Sequence, residues 1–286
     1  MPELPEVETI RQDLREVILG KMIAHVDVRR ESMVRGDAVE FAAYLAGNEI
    51  IEIDRIGKLL IFQLKKGEQV MLGHLKMTGQ LIYKSPESLI AGGHTEPPVD
   101  IDLPNKFSYI IFTFADGTKL FFNDMRTFGY MSLEDQYTLE SIKKKYGIEP
   151  GTKAFTLDAW KNVFKNRKTS VKAVLLNQAL ISGIGNIYAD EICFHANVLP
   201  SKQVSKLGKK EIEQLFYSTK HIILLAVKER GTTFNHYRDP KGRKGNFVSF
   251  LNVYGRGGEQ CNVCRTALTK EKIAGRGTVY CSCCQM

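Results

Sequence analysis

The chain has 286 residues, enough for two domains, and its 43% hydrophobic and 25% charged residues are typical of folded proteins. No apolar run approaches the roughly 18 residues of a membrane helix, and the acidic, proline-bearing N-terminus is unlike a secretory signal, so we expect a cytoplasmic protein. The net charge of +8 is concentrated in residues 201–286, which hold 16 basic and 6 acidic residues. This asymmetry favours a polyanionic partner over a lipid surface, although a solvated basic tail would have the same composition.

The first predicted element is a helix at residues 3–19, where apolar side chains recur with helical period. From about residue 22 to 131, short β-rich runs alternate with turn residues. The clearest of these runs are residues 50–53, 59–64, 109–114 and 120–122. Their spacing predicts an antiparallel sandwich or barrel. Residues 85–105, rich in proline and glycine, are interpreted as a long surface loop.

Helical periodicity returns after about residue 133. The predicted helices are residues 156–166, 169–181, 186–195 and 208–230. We therefore predict a multidomain α+β protein that acts as a monomer. Its predicted parts are a β domain with a flanking helix (1–132), a linker (133–150), a helical domain (151–250) and a small metal module (251–286).

Two cysteine pairs define the metal module. Cys261-x-x-Cys264 and Cys281-x-x-Cys284 are separated by 16 residues, the spacing of a four-thiolate zinc ribbon, so we predict one structural zinc ion. Disulfide pairing is the alternative, but it requires an oxidising compartment. Cys283 lies close enough in sequence to compete as a ligand.

A glycine-rich turn at residues 182–185 joins two predicted helices. Free N–H groups at the start of a helix attract anions, and Asn186 is placed there as N-cap and phosphate donor. An ordinary helical hairpin is the alternative, but no acidic residue occurs in 159–189, which contains several basic ones, including Lys172. Arg276, near the expected tip of the zinc ribbon, either contacts a phosphate or groove or is simply solvated.

The N-terminus offers a second kind of chemistry. Removal of Met1 before a proline would free the Pro2 nitrogen, a secondary amine with a pKa near ~8. Such an amine can attack a sugar C1′ and form an iminium, and Glu3 and Glu6 lie nearby as acid/base and positioning groups. Most Met-Pro starts are inert, so this signal is weak alone.

Six segments together resemble the formamidopyrimidine-DNA glycosylase family, which is grouped with endonuclease VIII. They are residues 2–9, 57–58, 73–79, 126–129, 183–191 and the zinc ribbon that ends at Cys284-Gln285. The resemblance runs through the whole chain in order. It implies an N-terminal antiparallel β-sandwich, a helix–two-turn–helix domain and a zinc finger. The implied partner is double-stranded DNA with oxidised bases or abasic sites.

The resemblance also implies roles for individual residues. Pro2 becomes the Schiff-base nucleophile, Glu3 the proton donor and Lys58 a catalytic, phosphate-contacting lysine. The implied DNA-binding residues are Asn186, Arg276, His74, Lys172 and the three that fill the void left by an everted nucleotide, Met77, Arg126 and Phe128. Glu6, Asn235 and His236 are assigned to the base pocket or to positioning.

Several positions depart from the family pattern. They are Phe107, Thr127, Asn235, Arg265 and the basic run Arg238, Lys241, Arg243 and Lys244. None involves the implied catalytic residues, so the departures affect the lesion preference more than the reaction.

We expect excision of oxidised purines, such as 8-oxoguanine and formamidopyrimidines, followed by cleavage at the abasic site. The alternatives are oxidised pyrimidines or hydantoins, a non-catalytic damaged-DNA-binding paralogue, and a zinc-ribbon accessory protein.

Overall fold

The computed structural model describes residues 1–93, 102–232 and 246–286. The chain forms two compact units. Unit 1 comprises Met1–Lys144 and the described part of Glu229–Val248, and unit 2 comprises Lys145–Lys228 and Ser249–Met286. The described residues 229–232 and 246–248 therefore group with the N-terminal unit and the zinc ribbon groups with the helices, whereas the sequence analysis divides the chain serially. Among the described residues, no helix combines the length and apolar character needed to cross a membrane.

Unit 1 contains three helices and ten strands among its described residues. The helices are α1 (Leu4–Ile18), α2 (Ala38–Leu45) and α3 (Gln136–Lys143). The strands are β1 (Ile23–Val28), β2 (Val34–Arg35), β3 (Ile50–Ile56), β4 (Leu59–Leu64), β5 (Gln69–His74), β6 (Gly79–Lys84), β7 (Leu89–Gly93), β8 (Ser108–Phe114), β9 (Lys119–Asp124) and β10 (Tyr130–Asp135). They form two five-stranded sheets, ordered β1-β8-β9-β6-β7 and β2-β10-β5-β4-β3. Neighbouring strands are antiparallel except β2 and β10.

The core of unit 1 lies between these sheets. Phe112 and Phe122 from one sheet pack in one buried cluster with Phe62 and Met71 from the other. The alternating apolar pattern therefore produced the predicted antiparallel sandwich. Helix α1, predicted at nearly its observed limits, adds Leu14 and further apolar residues to the same cluster.

The prediction of a surface loop at residues 85–105 was wrong in its first part. Strand β7 pairs with β6 there, and its Ile90 and Ala91 are buried. Position 92 of this strand requires glycine, because a Cβ atom there would lie 2.3 Å from Cγ1 of Ile10 on α1. A glycine in a strand can therefore mark the close packing of a helix, and in sequence it looks the same as a glycine in a loop.

Unit 2 contains four helices and one hairpin. They are α4 (Leu157–Phe164), α5 (Val171–Leu176), α6 (Asn186–His195), α7 (Lys209–Lys228), β11 (Thr269–Ile273) and β12 (Arg276–Tyr280). Trp160 is fully buried and its indole N–H donates to the Ile212 carbonyl at 3.0 Å. Helix α5 ends five residues before the predicted limit, because the Gln178 amide turns back to the carbonyls of Leu176 and Ile184. Short 3₁₀ turns occur in both units, at Glu31–Met33, Val204–Lys206 and Phe247–Phe250.

Candidate functional site

The N-terminus of α1 brings two of the implied catalytic residues together. Glu3 is the N-cap residue of this helix and forms a capping box with Glu6, in which the Glu3 amide donates to the Glu6 carboxylate at 2.8 Å. Pro2 and Glu3 are buried, whereas Met1 is 46% exposed. The Pro2 nitrogen is therefore held at a fixed helix end, and the residue that blocks it as an amide is accessible for removal.

Glu6 also holds a second segment of unit 1. Its Oε1 accepts hydrogen bonds from the Thr232 amide at 2.8 Å and the Thr232 hydroxyl at 3.0 Å. Gly231 has φ +77°, and a Cβ there would lie 2.6 Å from Glu6 Oε1. Glu6 thus has a positioning role in the structure. Asn235 and His236, assigned with it to the base pocket, lie outside the described residues.

Lys58 lies on a two-residue turn between β3 and β4. Gly57 supplies the positive φ, +55°, that a turn of this length requires at its first position. Lys58 is 7% exposed. Arg55 joins this turn to α1, because its Nε donates to Glu8 at 2.8 Å and its Nη1 lies 3.3 Å from the Gly57 carbonyl. The lysine and the N-terminus of α1 are therefore linked by one ion pair.

That ion pair is charged at neutral pH. Burial favours the neutral form of Glu8, but the hydrogen bond from Arg11 and the charge of Arg55 outweigh it and lower the pKa of the carboxyl. Arg11 contributes a close contact of its own, with Nη2 lying 2.7 Å from Oε1 of Glu8. Sequence reasoning missed both Glu8 and Arg55, although Glu8 lies inside the first motif.

The three residues expected to fill a void in the duplex lie on two adjacent loops of unit 1. Arg126 and Phe128 are exposed, with the guanidinium 4.9 Å from the ring centroid, and Met77 is half-buried. A buried carboxylate, Asp124, joins the loops, because it accepts hydrogen bonds from the Thr78 hydroxyl and from the backbone of the Arg126 loop. Sequence reasoning assigned no role to Thr78, although it lies in the 73–79 segment, or to Asp124, because their contact joins residues 46 positions apart.

His74 ends strand β5 and is held as a neutral ring. Its Nδ1 accepts the Lys76 amide at 3.0 Å. Burial, and then the positive charges of Lys76, Lys58 and Arg35, lower the pKa of His74 to about 3. The implied DNA-binding histidine therefore sits in a strongly positive environment.

Asn186 and Arg276 are brought together in unit 2. Asn186 Nδ2 donates to the carbonyl of Gly277, the residue after Arg276, at 3.0 Å. Arg276 is exposed and follows a two-residue turn, Ala274-Gly275, with positive φ at both positions. The prediction of Asn186 as N-cap was wrong: Gly185 is the N-cap and Asn186 the first helical residue. The side-chain amide of Asn186 therefore ties the start of α6 to the residue that follows Arg276.

The assignment of Lys172 to direct DNA contact requires correction. Its side chain is fully buried, and Nζ lies 2.6 Å from Asp190 Oδ1 and 2.7 Å from the Thr278 hydroxyl. The other oxygen of Asp190 accepts the Val279 amide at 3.0 Å. Burial raises the pKa of Asp190 to about 6 even though the ammonium group opposes it. Lys172 therefore joins α5 and α6 to the hairpin that carries Arg276, and has no surface left for a phosphate.

The four cysteines of the two pairs form one cluster. The sulfur atoms of Cys261, Cys264, Cys281 and Cys284 all lie within 4.8 Å of one another. The sulfur–sulfur separations of 3.4 Å for Cys264–Cys281 and 4.0 Å for Cys261–Cys284 bracket the roughly 3.8 Å edge of a tetrahedron with zinc–sulfur bonds of about 2.3 Å. Cys283 is exposed and outside the cluster. The residues fit a structural zinc site, and Cys193, the remaining cysteine, is a buried core residue.

Three family models match the chain. The formamidopyrimidine-DNA glycosylase N-terminal domain matches residues 1–131, the H2TH domain of the same family matches 146–237, and the zinc finger found in FPG and IleRS matches 258–285. The formamidopyrimidine-DNA glycosylase of Listeria innocua is 39% identical over 288 residues, covering all of both chains.

Solved structures of the Lactococcus lactis Fpg protein are also similar. Its complex with an abasic site containing DNA has a TM-score of 0.88 and 31% identity over 99% of each chain. Its complexes with N7-benzyl-Fapy-dG DNA and with an oxidised pyrimidine containing DNA each have a TM-score of 0.87 and 31% identity over all of both chains. The protein described here belongs to the formamidopyrimidine-DNA glycosylase family.

Proposed function

We propose that this chain excises oxidised purines from duplex DNA and then nicks the resulting abasic site. The observation that carries the proposal is the arrangement in unit 1 of Pro2, buried Glu3 and the Lys58 turn, tied together through α1 and the Glu8–Arg55 pair. The relatives' complexes with Fapy-dG and abasic-site DNA support this substrate class. We infer that the protein acts at the nucleoid, because its proposed substrate is duplex DNA and its relatives are bacterial.

Four steps follow from these residues. With Met1 removed, the lone pair of the Pro2 nitrogen attacks C1′, the C1′–base bond breaks, and the base leaves with a proton. Glu3 is the group placed to deliver that proton and to move protons on the deoxyribose. The C1′–O4′ bond then breaks, O4′ takes up a proton, and the Pro2 nitrogen forms an iminium with C1′. Loss of a C2′ proton sends its electron pair toward this iminium and expels the 3′-phosphate, and a second elimination along the conjugated chain expels the 5′-phosphate. Hydrolysis of the iminium returns the free amine.

Lys58 and the zinc-bearing unit supply binding. Lys58 is proposed to contact the phosphate beside the damaged nucleotide, and Asn186 and Arg276 to hold phosphates from unit 2. Met77, Arg126 and Phe128 are proposed to occupy the void in the stack, because eversion of a base costs a few kcal/mol that replacement stacking recovers. Zinc, when bound to the four cysteines, supplies folding energy to the ribbon and no chemistry to the reaction.

Borohydride trapping tests the nucleophile. Protein with Met1 removed should form a covalent adduct on lesion-bearing duplex, and peptide mass analysis should place it on residue 2. Pro2→Gly and protein that retains Met1 should lose most of this yield. Pro5→Ala, a matched proline change in the first turn of the same helix, should retain it. Full trapping by Pro2→Gly, or an adduct at another residue, would contradict the role.

Oxidised pyrimidines are the second candidate substrate class, favoured by the relative's complex with oxidised pyrimidine containing DNA. Single-turnover excision of 8-oxoguanine, formamidopyrimidine, hydantoin and oxidised-pyrimidine duplexes under one condition separates the candidates. Faster excision of both purine lesions supports the first, and faster excision of pyrimidine lesions supports the second. Tight binding of all four without excision identifies a non-catalytic paralogue.

A further inference from the structure

One end of the second sheet of unit 1 carries a row of cationic residues. Leu59, which follows Lys58, pairs with His74, and His74 pairs with Tyr130 on β10. On the other side of β10, Arg35 of β2 pairs with Ser132. The row thus crosses β4, β5, β10 and β2, three strand spacings or roughly 14 Å, about the axial rise of four nucleotides in one DNA strand.

Tyr130 organises the outer half of this row. The Arg35 guanidinium lies 3.3 Å from the centroid of the Tyr130 ring, a stacked arrangement, and Lys76 Nζ lies 5.7 Å from it. Arg35 is exposed. Stacking fixes the plane of the guanidinium while its N–H groups remain directed outward, so the group is oriented before any ligand arrives.

These charges are not neutralised within the described part of the chain. Neither Arg35 nor Lys76 takes part in an ion pair there. Asp37, two residues after Arg35, uses its carboxylate to cap α2 through the amides of Val39 and Glu40. The low pKa of His74, about 3, has burial as its first cause and Lys76, Lys58 and Arg35 as the next ones. Two cations without an ion pair among the described residues, Arg35 and Lys76, therefore lie beside Tyr130.

We propose that Arg35 and Lys76, held against Tyr130, form an additional binding site for backbone phosphates of DNA. The site continues the line that begins at Lys58 and His74, and it reads no base. This inference rests on the proposed function for its ligand, but it concerns binding and not excision. The positive φ of Lys76, +49°, is consistent with this role, because it turns the chain sharply between the end of β5 and Met77.

Salt-dependent affinity tests the site. The probe is a duplex with a tetrahydrofuran abasic analogue, compared with the same duplex undamaged, and bound by Arg35→Gln, Lys76→Gln and wild-type protein. Each variant should bind both duplexes about three- to tenfold more weakly at low salt and lose about 0.9 unit of salt slope. Lys66→Gln removes the same charge from the opposite end of β4 and should leave both values unchanged.

Neutral methylphosphonates, placed one at a time along the analogue strand, locate the contact. At one position, the methylphosphonate should weaken binding by the wild-type protein but not by Arg35→Gln. The phosphate at that position is then the one that Arg35 contacts. Tyr130→Leu should lower affinity as Arg35→Gln does, and Tyr130→Phe, which keeps the ring, should restore it.

The site would be overturned if the salt slope is unchanged in both Arg35→Gln and Lys76→Gln. It would also be overturned if these variants lose no more DNA affinity than Lys66→Gln. A wild-type protein that does not bind duplex DNA would also overturn it. Salt-dependent binding with the expected losses, but without excision of any lesion, would support the site and contradict the proposed activity. The two proposals therefore fail separately.

Discussion

The two units hold their proposed functional residues by different means. In unit 1, Lys58, His74 and Phe128 lie at the ends of strands or on the turns between them, above a sandwich core with many buried aromatic side chains. In unit 2, Arg276 is carried by a two-stranded hairpin whose own core is a small cluster that includes the zinc cysteines. Strand register fixes the first set through many weak contacts, whereas a metal and one buried ion pair fix the second. Single substitutions should therefore be far more damaging in unit 2.

Zinc removal should produce the largest effect. Structural zinc in small modules contributes an apparent ~10–16 kcal/mol of binding free energy, which the cluster around Val253 and Leu268 is too small to replace. Cys264→Ser or chelation should unfold the β11–β12 hairpin and abolish DNA binding while unit 1 stays folded. Metal analysis measures the zinc content, hydrogen exchange of the hairpin amides measures unfolding of the hairpin, and DNA titration measures the loss of binding.

Cys283→Ser is the matched control for zinc removal, because Cys283 is exposed and outside the sulfur cluster. It should keep one zinc per chain and full DNA affinity. Loss of zinc in this variant would make Cys283 a ligand. Equal DNA binding by zinc-free and zinc-bound protein would show that the comparison between the units is wrong.

Loss of the buried ammonium group should have the next largest effect. Lys172→Met leaves the Asp190 carboxylate buried without its partner, which costs about 3–5 kcal/mol, and should displace Arg276 and weaken DNA binding. Lys172→Met combined with Asp190→Leu should recover part of the stability, because no unpaired charge remains. Urea unfolding monitored by the fluorescence of Trp160, which lies in unit 2, measures both.

A surface pair supplies the comparison for this effect. Lys161 and Glu213 form a second ion pair in unit 2, 2.8 Å apart, but each side chain is 42% exposed, so Lys161→Met should destabilise the protein far less than Lys172→Met. If Lys172→Met is as mild as Lys161→Met, the buried pair does not position the hairpin. A double variant less stable than the single one would contradict the role of charge.

The sequence predicted the features that depend on local spacing. The cysteine pairs and helix α6 after its glycine turn were predicted correctly, because ligand geometry and helix starts are set by neighbours within a few residues. The burial of Lys172 was not predictable, since its partner Thr278 is 106 residues away and its own surroundings are basic. Asp124 was missed for the same reason, because its partner Thr78 is 46 residues distant.

Removal of the Asp124 carboxylate should have a moderate effect in unit 1. The carboxylate holds the loop in which Thr127 has φ +57°, an unfavourable backbone conformation for a β-branched residue. Asp124→Asn cannot accept all of these hydrogen bonds equally well, so we expect a loss of about 1–3 kcal/mol in the free energy of unfolding. Excision should slow by roughly tenfold or more, because the Arg126 and Phe128 side chains lose their fixed positions.

Affinity for undamaged duplex should change much less than excision in Asp124→Asn, since Lys58, Arg35, Asn186 and Arg276, which are proposed to contact phosphates, lie outside the two loops that Asp124 joins. Asp116→Asn is the control: this exposed turn residue also accepts a backbone amide, from Thr118 at 3.0 Å, but lies away from the loop. Equal excision rates for the two variants would remove Asp124 from the positioning role.

The smallest expected effect concerns His74 and pH. The folded ring has a pKa of about 3, whereas an unfolded histidine takes up a proton near ~6.5. Between these values only the unfolded state is protonated at this residue, so His74 makes the free energy of unfolding decrease as the pH falls below about 6.5. Because at most one proton is taken up at His74, its contribution changes the free energy of unfolding by at most about 1.4 kcal/mol per pH unit. His74→Gln should therefore gain stability relative to wild type between pH 7 and pH 5, and His25→Gln, on exposed β1, gives the background. Urea midpoints at three pH values measure the difference. If the His74→Gln and wild-type curves run parallel, neither burial nor the three neighbouring cations lower the pKa of this ring in the folded protein.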